Sequence, residues 1–166
     1  EQLPEDACVI VAQRWAGYYS RLNQEMFTQL ESFVREIKAR GKNVLITTDV
    51  ANYAYSPSAI AARLKLWTPR HMNPQWNTFS LSERDYTQSQ GMINAGLLAV
   101  CEKTRSTLVP IHLSLKNDDC YIAFACQGEK CVPLYRDEDH LTRSGSLLVA
   151  QFLLQYLNVI CKETPM

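Results

Sequence analysis

Three short apolar runs, VIVAQRW at 9–15, NVLITT at 43–48 and LVPIHL at 108–113, alternate with longer segments of helical periodicity. No other feature of the chain constrains its fold as tightly. Between the first two runs, Asn23 to Arg40 sets Met26, Leu30, Phe33 and Ile37 at helical spacing, with Glu25, Glu31, Arg35 and Lys38 on other faces and Gly41 as a C-terminal stop. Glu83 to Thr104 reads as a second helix, whose Gly91 and Gly96 point to close packing or to local weakness. Thr142 is placed to cap a third, running from Arg143 into Cys161. Strands alternating with helices bury both faces of a parallel sheet. The expected fold is therefore α/β, a three-layer sandwich with a parallel sheet, forming one domain over 1–166.

Two stretches depart from that grammar. Ala51 to Leu81 is irregular and carries Pro57, Pro69 and Pro74, with room for a short helix over Ser58 to Leu66. Pro110 lacks a ladder donor, which puts LVPIHL at an edge or makes the proline a strand start. Three strands make a narrow sheet, and the outer edge of VIVAQRW is left with unpaired backbone groups. That edge leads us to expect further strands before this segment, and hence a sheet incomplete at its N-terminus.

Charge excludes one class of partner. Lys plus Arg and Asp plus Glu both number 17, so no net field favours nucleic acid. EQLPEDAC has acids and a proline where a secretory leader would carry a basic region. The longest apolar stretch, Leu147 to Ile160, is interrupted by Gln151, Gln155 and Asn158 and falls short of a ~30 Å bilayer core.

Chemistry concentrates near the end of the chain. In YRDEDHLTRSGS, Asp137 stands three residues before His140, at the mouth of the last helix. A histidine acting as a base must be held in one tautomer and orientation, and a carboxylate accepting from its far ring nitrogen does both. Asp139 is adjacent to the histidine and is expected to point away. The competing reading is a solvated acidic turn at a helix N-terminus. In open α/β sheets ligands bind beyond the carboxyl ends of the strands, where Arg14, Trp15, Asp49 and the 137–140 loop all fall. His112 reads as a packed strand histidine and His71 as loop surface. Trp67, Trp76 and Phe79 read as aromatics that pin their loop, with sugar stacking as the alternative.

The six cysteines, Cys8, Cys101, Cys120, Cys126, Cys131 and Cys161, permit disulfides in an oxidising compartment, in fifteen possible connectivities. Cys8 and Cys161 sit in apolar segments, as ordinary core thiols do. No CxxC or CxxH spacing marks a metal centre among Cys120, Cys126 and Cys131. Neither a metal nor a cofactor is expected.

Several blocks carry a family resemblance. YRDEDHLTRSG closely resembles the DxxHL(S/T)xxG block that closes SGNH domains of the acyltransferase-3 family, bacterial enzymes that O-acylate surface glycans. CVIVAQRWAGYY, at 8–19, is similar to the RWxxY strand end of the same domains, where ordinary SGNH hydrolases carry an asparagine block. CQGEKC followed by PLYRD resembles the CxxxxC that often precedes the family's DxxH. Together these blocks span from about Val9 to the end of the chain.

The resemblance implies an SGNH-hydrolase-like (flavodoxin-like) fold and a two-step acyl transfer, with His140 as base and Asp137 as its orienting acid. It also implies a Cys126–Cys131 disulfide bracing their loop, and the four residues between these cysteines, Gly128 among them, can turn the chain. Trp15 or Arg14 would offer N–H donors where hydrolases use asparagine; the alternatives are a core or rim aromatic beside Tyr18 and Tyr19, and a surface ion pair. The family's nucleophilic serine sits in a GDS block, and no such block occurs in the chain. It is expected upstream or on a separate N-terminal fragment.

The implied setting is the periplasmic face of the bacterial inner membrane. There an integral membrane acyltransferase domain would deliver an acyl group, acetyl being the commonest, to a glycan acceptor of lipopolysaccharide or peptidoglycan type. An SGNH esterase and a non-catalytic glycan-binding relic are the other readings.

Overall fold

The computed structural model describes residues 4, 7–63, 80–127 and 130–160. Trp67, His71, Trp76, Phe79, Gly128 and Cys161 lie outside them. In chain order the elements are β1 (Cys8–Val11), α1 (Trp15–Leu22), α2 (Gln24–Ala39), β2 (Asn43–Thr47), α3 (Pro57–Arg63), β3 (Leu81–Ser82) and α4 (Glu83–Thr104). There follow β4 (Thr107–Val109), a 3-10 helix (Ile111–Leu115), β5 (Lys116–Asn117), β6 (Cys120–Tyr121), β7 (Phe124–Gln127), β8 (Lys130–Pro133) and α5 (Arg143–Ile160).

The residues divide into two compact units. The first takes in the described residues of Glu1–Asp49, Gln88–Ile111 and Leu153–Met166. Its sheet is parallel, in the order β1-β2-β4, with Val9 opposite Val44 and Ile46 opposite Leu108. One face of β2, through Val44 and Ile46, packs with Met26, Phe27, Leu30 and Val34 of α2 and Ile93, Leu97, Val100 and Cys101 of α4. The apolar stripe of α2 is thus rotated from the expected one: Phe33 is half exposed and Val34 is fully buried. Gly96 accounts for the fit of α2 against α4, since a Cβ there would strike the ring of Phe27. Arg40 and Gly41 close α2 on the carbonyls of Ile37 and Lys38, with Gly41 at φ +73°, where a side chain is strained.

Two expected strands are shorter than their apolar runs. β1 stops at Val11, and Trp15 opens α1 instead. β4 stops at Val109, before Pro110, and His112 lies in a 3-10 helix, not a strand. The proline ends the ladder because it has no N–H to donate.

The second unit takes in the described residues of Val50–Thr87 and His112–Phe152. It holds the small antiparallel sheet β3-β6-β5 and the hairpin β7-β8. Its core is built around tyrosines. The rings of Tyr53 and Tyr135 meet edge to face at 4.8 Å, those of Tyr86 and Tyr121 approach to 4.3 Å, and the Tyr53 hydroxyl donates to the Tyr121 carbonyl at 2.8 Å. Burying such a ring requires a partner for its hydroxyl, and the Tyr53 bond meets that requirement.

Candidate active site

The stretch from Arg136 to His140 is a tight turn closed on itself. The Arg136 N–H donates to the His140 carbonyl at 2.7 Å, and Tyr135 and Leu141 form an isolated bridge just outside. Inside the turn, one carboxylate oxygen does most of the work: Asp137 Oδ1 accepts the backbone N–H of His140 at 2.8 Å and that of Asp139 at 3.3 Å. This is the local capture that makes aspartate a turn former.

The same oxygen lies 2.9 Å from His140 Nδ1. An ionised carboxylate can only accept, so Nδ1 carries the proton and Nε2 keeps its lone pair. Among the described residues Nε2 has no hydrogen-bond partner, and the side chain is 58% exposed. The geometry is that of a base held ready for a proton arriving from solvent or substrate. The backbone N–H of His140 is the main cause that holds the Asp137 carboxyl well below the usual carboxylate range; desolvation opposes it, and the His140 ring adds to it.

Asp139 does not point away. Its Oδ1 lies 3.0 Å from the same Nδ1, and its side chain is only 11% exposed. Neighbouring side chains diverge on helices and strands, but in this turn the backbone brings both carboxylates to one side of the ring. Ligand atoms of Asp137, Asp139 and His140 fall within 4.8 Å of one another, close enough to serve a cation. Hydrogen bonding and ion pairing to the ring account for the same arrangement.

Each residue after His140 fixes the turn to something rigid. Leu141 packs against the tyrosine core. Thr142 caps α5, accepting the Gly145 N–H at 3.2 Å, while its hydroxyl donates to the Pro133 carbonyl at 2.7 Å and its N–H to the Leu134 carbonyl at 2.9 Å. Gly145 is buried, and a Cβ there would run into the Leu134 carbonyl. Asp137, His140, Leu141, Thr142 and Gly145 each thereby have a structural reason.

On its other flank the turn is sewn to the 53–58 segment. The Tyr53 N–H donates to the Glu138 carbonyl at 2.8 Å, the Ser56 hydroxyl to the Arg136 carbonyl at 3.3 Å, and the Ser58 hydroxyl to the Tyr135 carbonyl. Between these ties stands Tyr55, 72% exposed. Sequence reading passed over this tyrosine because nothing local separates it from Tyr53, which turns inward. Below the turn, Cys126 and Cys131 face each other across the β7-β8 hairpin and are joined by a disulfide, their Cα atoms 4.0 Å apart.

In the first unit, Arg14, Trp15 and Asp49 gather at the carboxyl ends of β1 and β2. The Asp49 carboxylate accepts the N–H groups of Trp15 at 3.0 Å and Ala16 at 2.8 Å, capping the first turn of α1. Trp15 is 3% exposed, and its ring N–H donates to the Thr47 carbonyl at 2.6 Å. That donor is engaged within the core, so Trp15 here anchors the strand end. Arg14 is exposed beside it, its side chain lying along the face of Gly17. His112 stacks on Tyr86 at 4.8 Å, and burial pushes its imidazole down to about 4.

Comparison with known proteins places these features in a context. Residues 1–155 match the family described as "SGNH domain (fused to AT3 domains)". Among solved structures, the chain is similar to the periplasmic domain of a lipopolysaccharide acetyltransferase from Salmonella ser. Paratyphi A, with a TM-score of 0.65 and 13% identity. The match covers 92% of this chain and 57% of that one, so the chain spans a little over half the length of the relative. No curated protein matches the chain.

Proposed function

Since the chain belongs to the SGNH domains that are fused to AT3 domains, we propose that Asp137 and His140 are the acid–base half of a serine acyl-transfer centre that moves an acyl group, acetyl in the first instance, onto a hydroxyl of a bacterial surface glycan. One observation carries this reading: His140 Nδ1 is bound by Asp137 at 2.9 Å while Nε2 is left without a partner among the described residues.

The serine comes from a GDS block outside residues 1–166, in the same polypeptide or in a second one. His140 Nε2 takes the serine proton as its oxygen attacks the acyl donor's carbonyl. Collapse of the tetrahedral intermediate returns that proton to the leaving group and leaves an acyl-serine. In the second step Nε2 deprotonates the incoming sugar hydroxyl, whose oxygen attacks the acyl-serine, and the proton passes back to the departing serine. Asp137 holds the ring through both steps.

Tyr55 supports a sugar acceptor: an exposed ring on a segment bonded twice to the catalytic turn is a surface on which a pyranose can stack. In this reading the domain works at the periplasmic face of the inner membrane, with the acyl group delivered by an integral membrane acyltransferase domain. Ester hydrolysis is the second reading, favoured by the 58% exposure of His140, which lets water reach the same base.

The test is turnover of an acetyl ester, with and without a glycan acceptor, by the parent protein that contains the serine block. Acylated glycan lost on replacement of His140 by alanine supports the transferase. Free acetate formed at the same rate with or without acceptor supports the esterase, and turnover unaffected by the replacement overturns both.

A further inference from the structure

Asp137 and Asp139 stand differently toward His140. Oδ1 of Asp137 is shared among three N–H groups, two of them backbone, and Oδ2 lies 3.6 Å from Arg136 Nε, so its charge is distributed over the turn. Asp139 places Oδ1 3.0 Å from Nδ1 with a side chain 11% exposed, against 32% for Asp137. Less water around a charge means weaker screening and a stronger field at its neighbour. Asp137 therefore builds the turn and receives the ring's hydrogen bond, whereas Asp139 faces the ring from drier surroundings.

We propose that Asp139 is a second positioning carboxylate of this site, fixing the proton on Nδ1 and stabilising the imidazolium that forms when Nε2 accepts a proton. The proposal rests on the reading of His140 as the base. It assigns the two aspartates separate tasks: without Asp137 the turn loosens and the ring loses its hydrogen bond, and without Asp139 the turn stands but the ring loses the second carboxylate that orients it. When the ring is protonated, one positive charge faces two carboxylates, with Arg136 offsetting the excess. Such preorganised charge acts on the transition state without rearrangement.

The experiment uses nitrogen-detected NMR of the histidine ring in this chain, which needs no substrate, on the unaltered protein and on D139N and D137N. The expected result for D139N is an intact set of turn amides with the population ratio of Nδ1–H to Nε2–H tautomers reduced about fivefold. D137N is expected to disturb the amides of residues 139 and 140 as well. An unchanged tautomer ratio in D139N overturns the proposal. If D139N does not fold, H140Q replaces it, since that side chain is exposed: the Asp139 carboxyl carbon must shift when the ring is removed, and an unmoved carbon overturns the proposal equally. A changed tautomer ratio together with unaltered ester turnover in the parent protein retires the acyl-transfer reading and leaves only the part of Asp139 in fixing the Nδ1 proton.

Discussion

Asp137 holds His140 at two points through one oxygen, 2.8 Å from its backbone nitrogen and 2.9 Å from its ring nitrogen. Backbone and ring of His140 are thus oriented by the same atom. With His140 as the proposed base, removing its ring from the parent protein is expected to lower kcat for an acetyl ester by roughly two to four orders of magnitude, with the circular dichroism of H140A unchanged because the side chain is exposed. D137N is expected to lower both activity and thermal stability, since the amide replaces an ion at a site where two backbone N–H groups converge.

The junction of β8 and α5 is the place where small changes should cost most. Gly145→Ala forces a methyl against the Leu134 carbonyl and should destabilise the protein by about 1–3 kcal/mol. Thr142→Ala removes the cap and the Pro133 bond and should cost about 1–2 kcal/mol. Denaturant midpoints of the two variants check both values, and a G145A midpoint equal to that of the parent would refute the steric account.

The Cys126–Cys131 bridge closes a loop of only a few residues. On chain-entropy grounds C126S/C131S should lose about 2 kcal/mol, no more than a short loop provides. Reductant titration followed by thermal melting measures this. A loss of the whole fold would mean that the hairpin depends on the bridge far beyond its entropy.

Tyr55→Ala should raise KM for a glycan acceptor about three- to tenfold while leaving kcat with a small ester unchanged, because the ring offers contact area and no chemistry. Steady-state kinetics with both substrates separates the two constants. A fall in kcat for the small ester would show instead that Tyr55 supports the turn.

Stability should depend on pH through His112. The folded protein holds its ring neutral down to about 4, by burial first and by Lys116 second, whereas an unfolded chain protonates it near 6.5. Between those values the unfolded state binds more protons, so stability rises with pH across that window and is at its full value above it. His112→Phe, which keeps the stack on Tyr86, should flatten that part of the curve; an unchanged slope would assign it to other groups.

The parts of the fold that could be read in advance are those governed by periodicity. α4 keeps the expected limits of Glu83 and Thr104, and α5 starts after Thr142 because a cap is a local signal. Local signals failed where a distant group decides. Trp15 belongs to an apolar run, yet it opens a helix because Asp49, 34 residues on, caps its N–H. Val34 and not Phe33 enters the core on a helix whose Phe27 sits against Gly96, a contact between α2 and α4 that spacing within α2 does not encode. The Asp137–His140 pair was legible because three residues suffice to close the turn. The convergence of Asp139 was not, since spacing describes regular backbone and this turn is irregular. Tyr55 carries no mark in sequence that separates it from Tyr53.

Asp49 has one more consequence. The exposed amides at the start of a strand-end helix commonly receive the phosphate of a nucleotide or coenzyme in α/β proteins. At α1, the amides of Trp15 and Ala16 already hold a carboxylate belonging to the protein itself. An anionic cofactor approaching that helix would have to displace a resident counter-ion, so the first unit is closed to the mode of phosphate recognition that its architecture would otherwise invite.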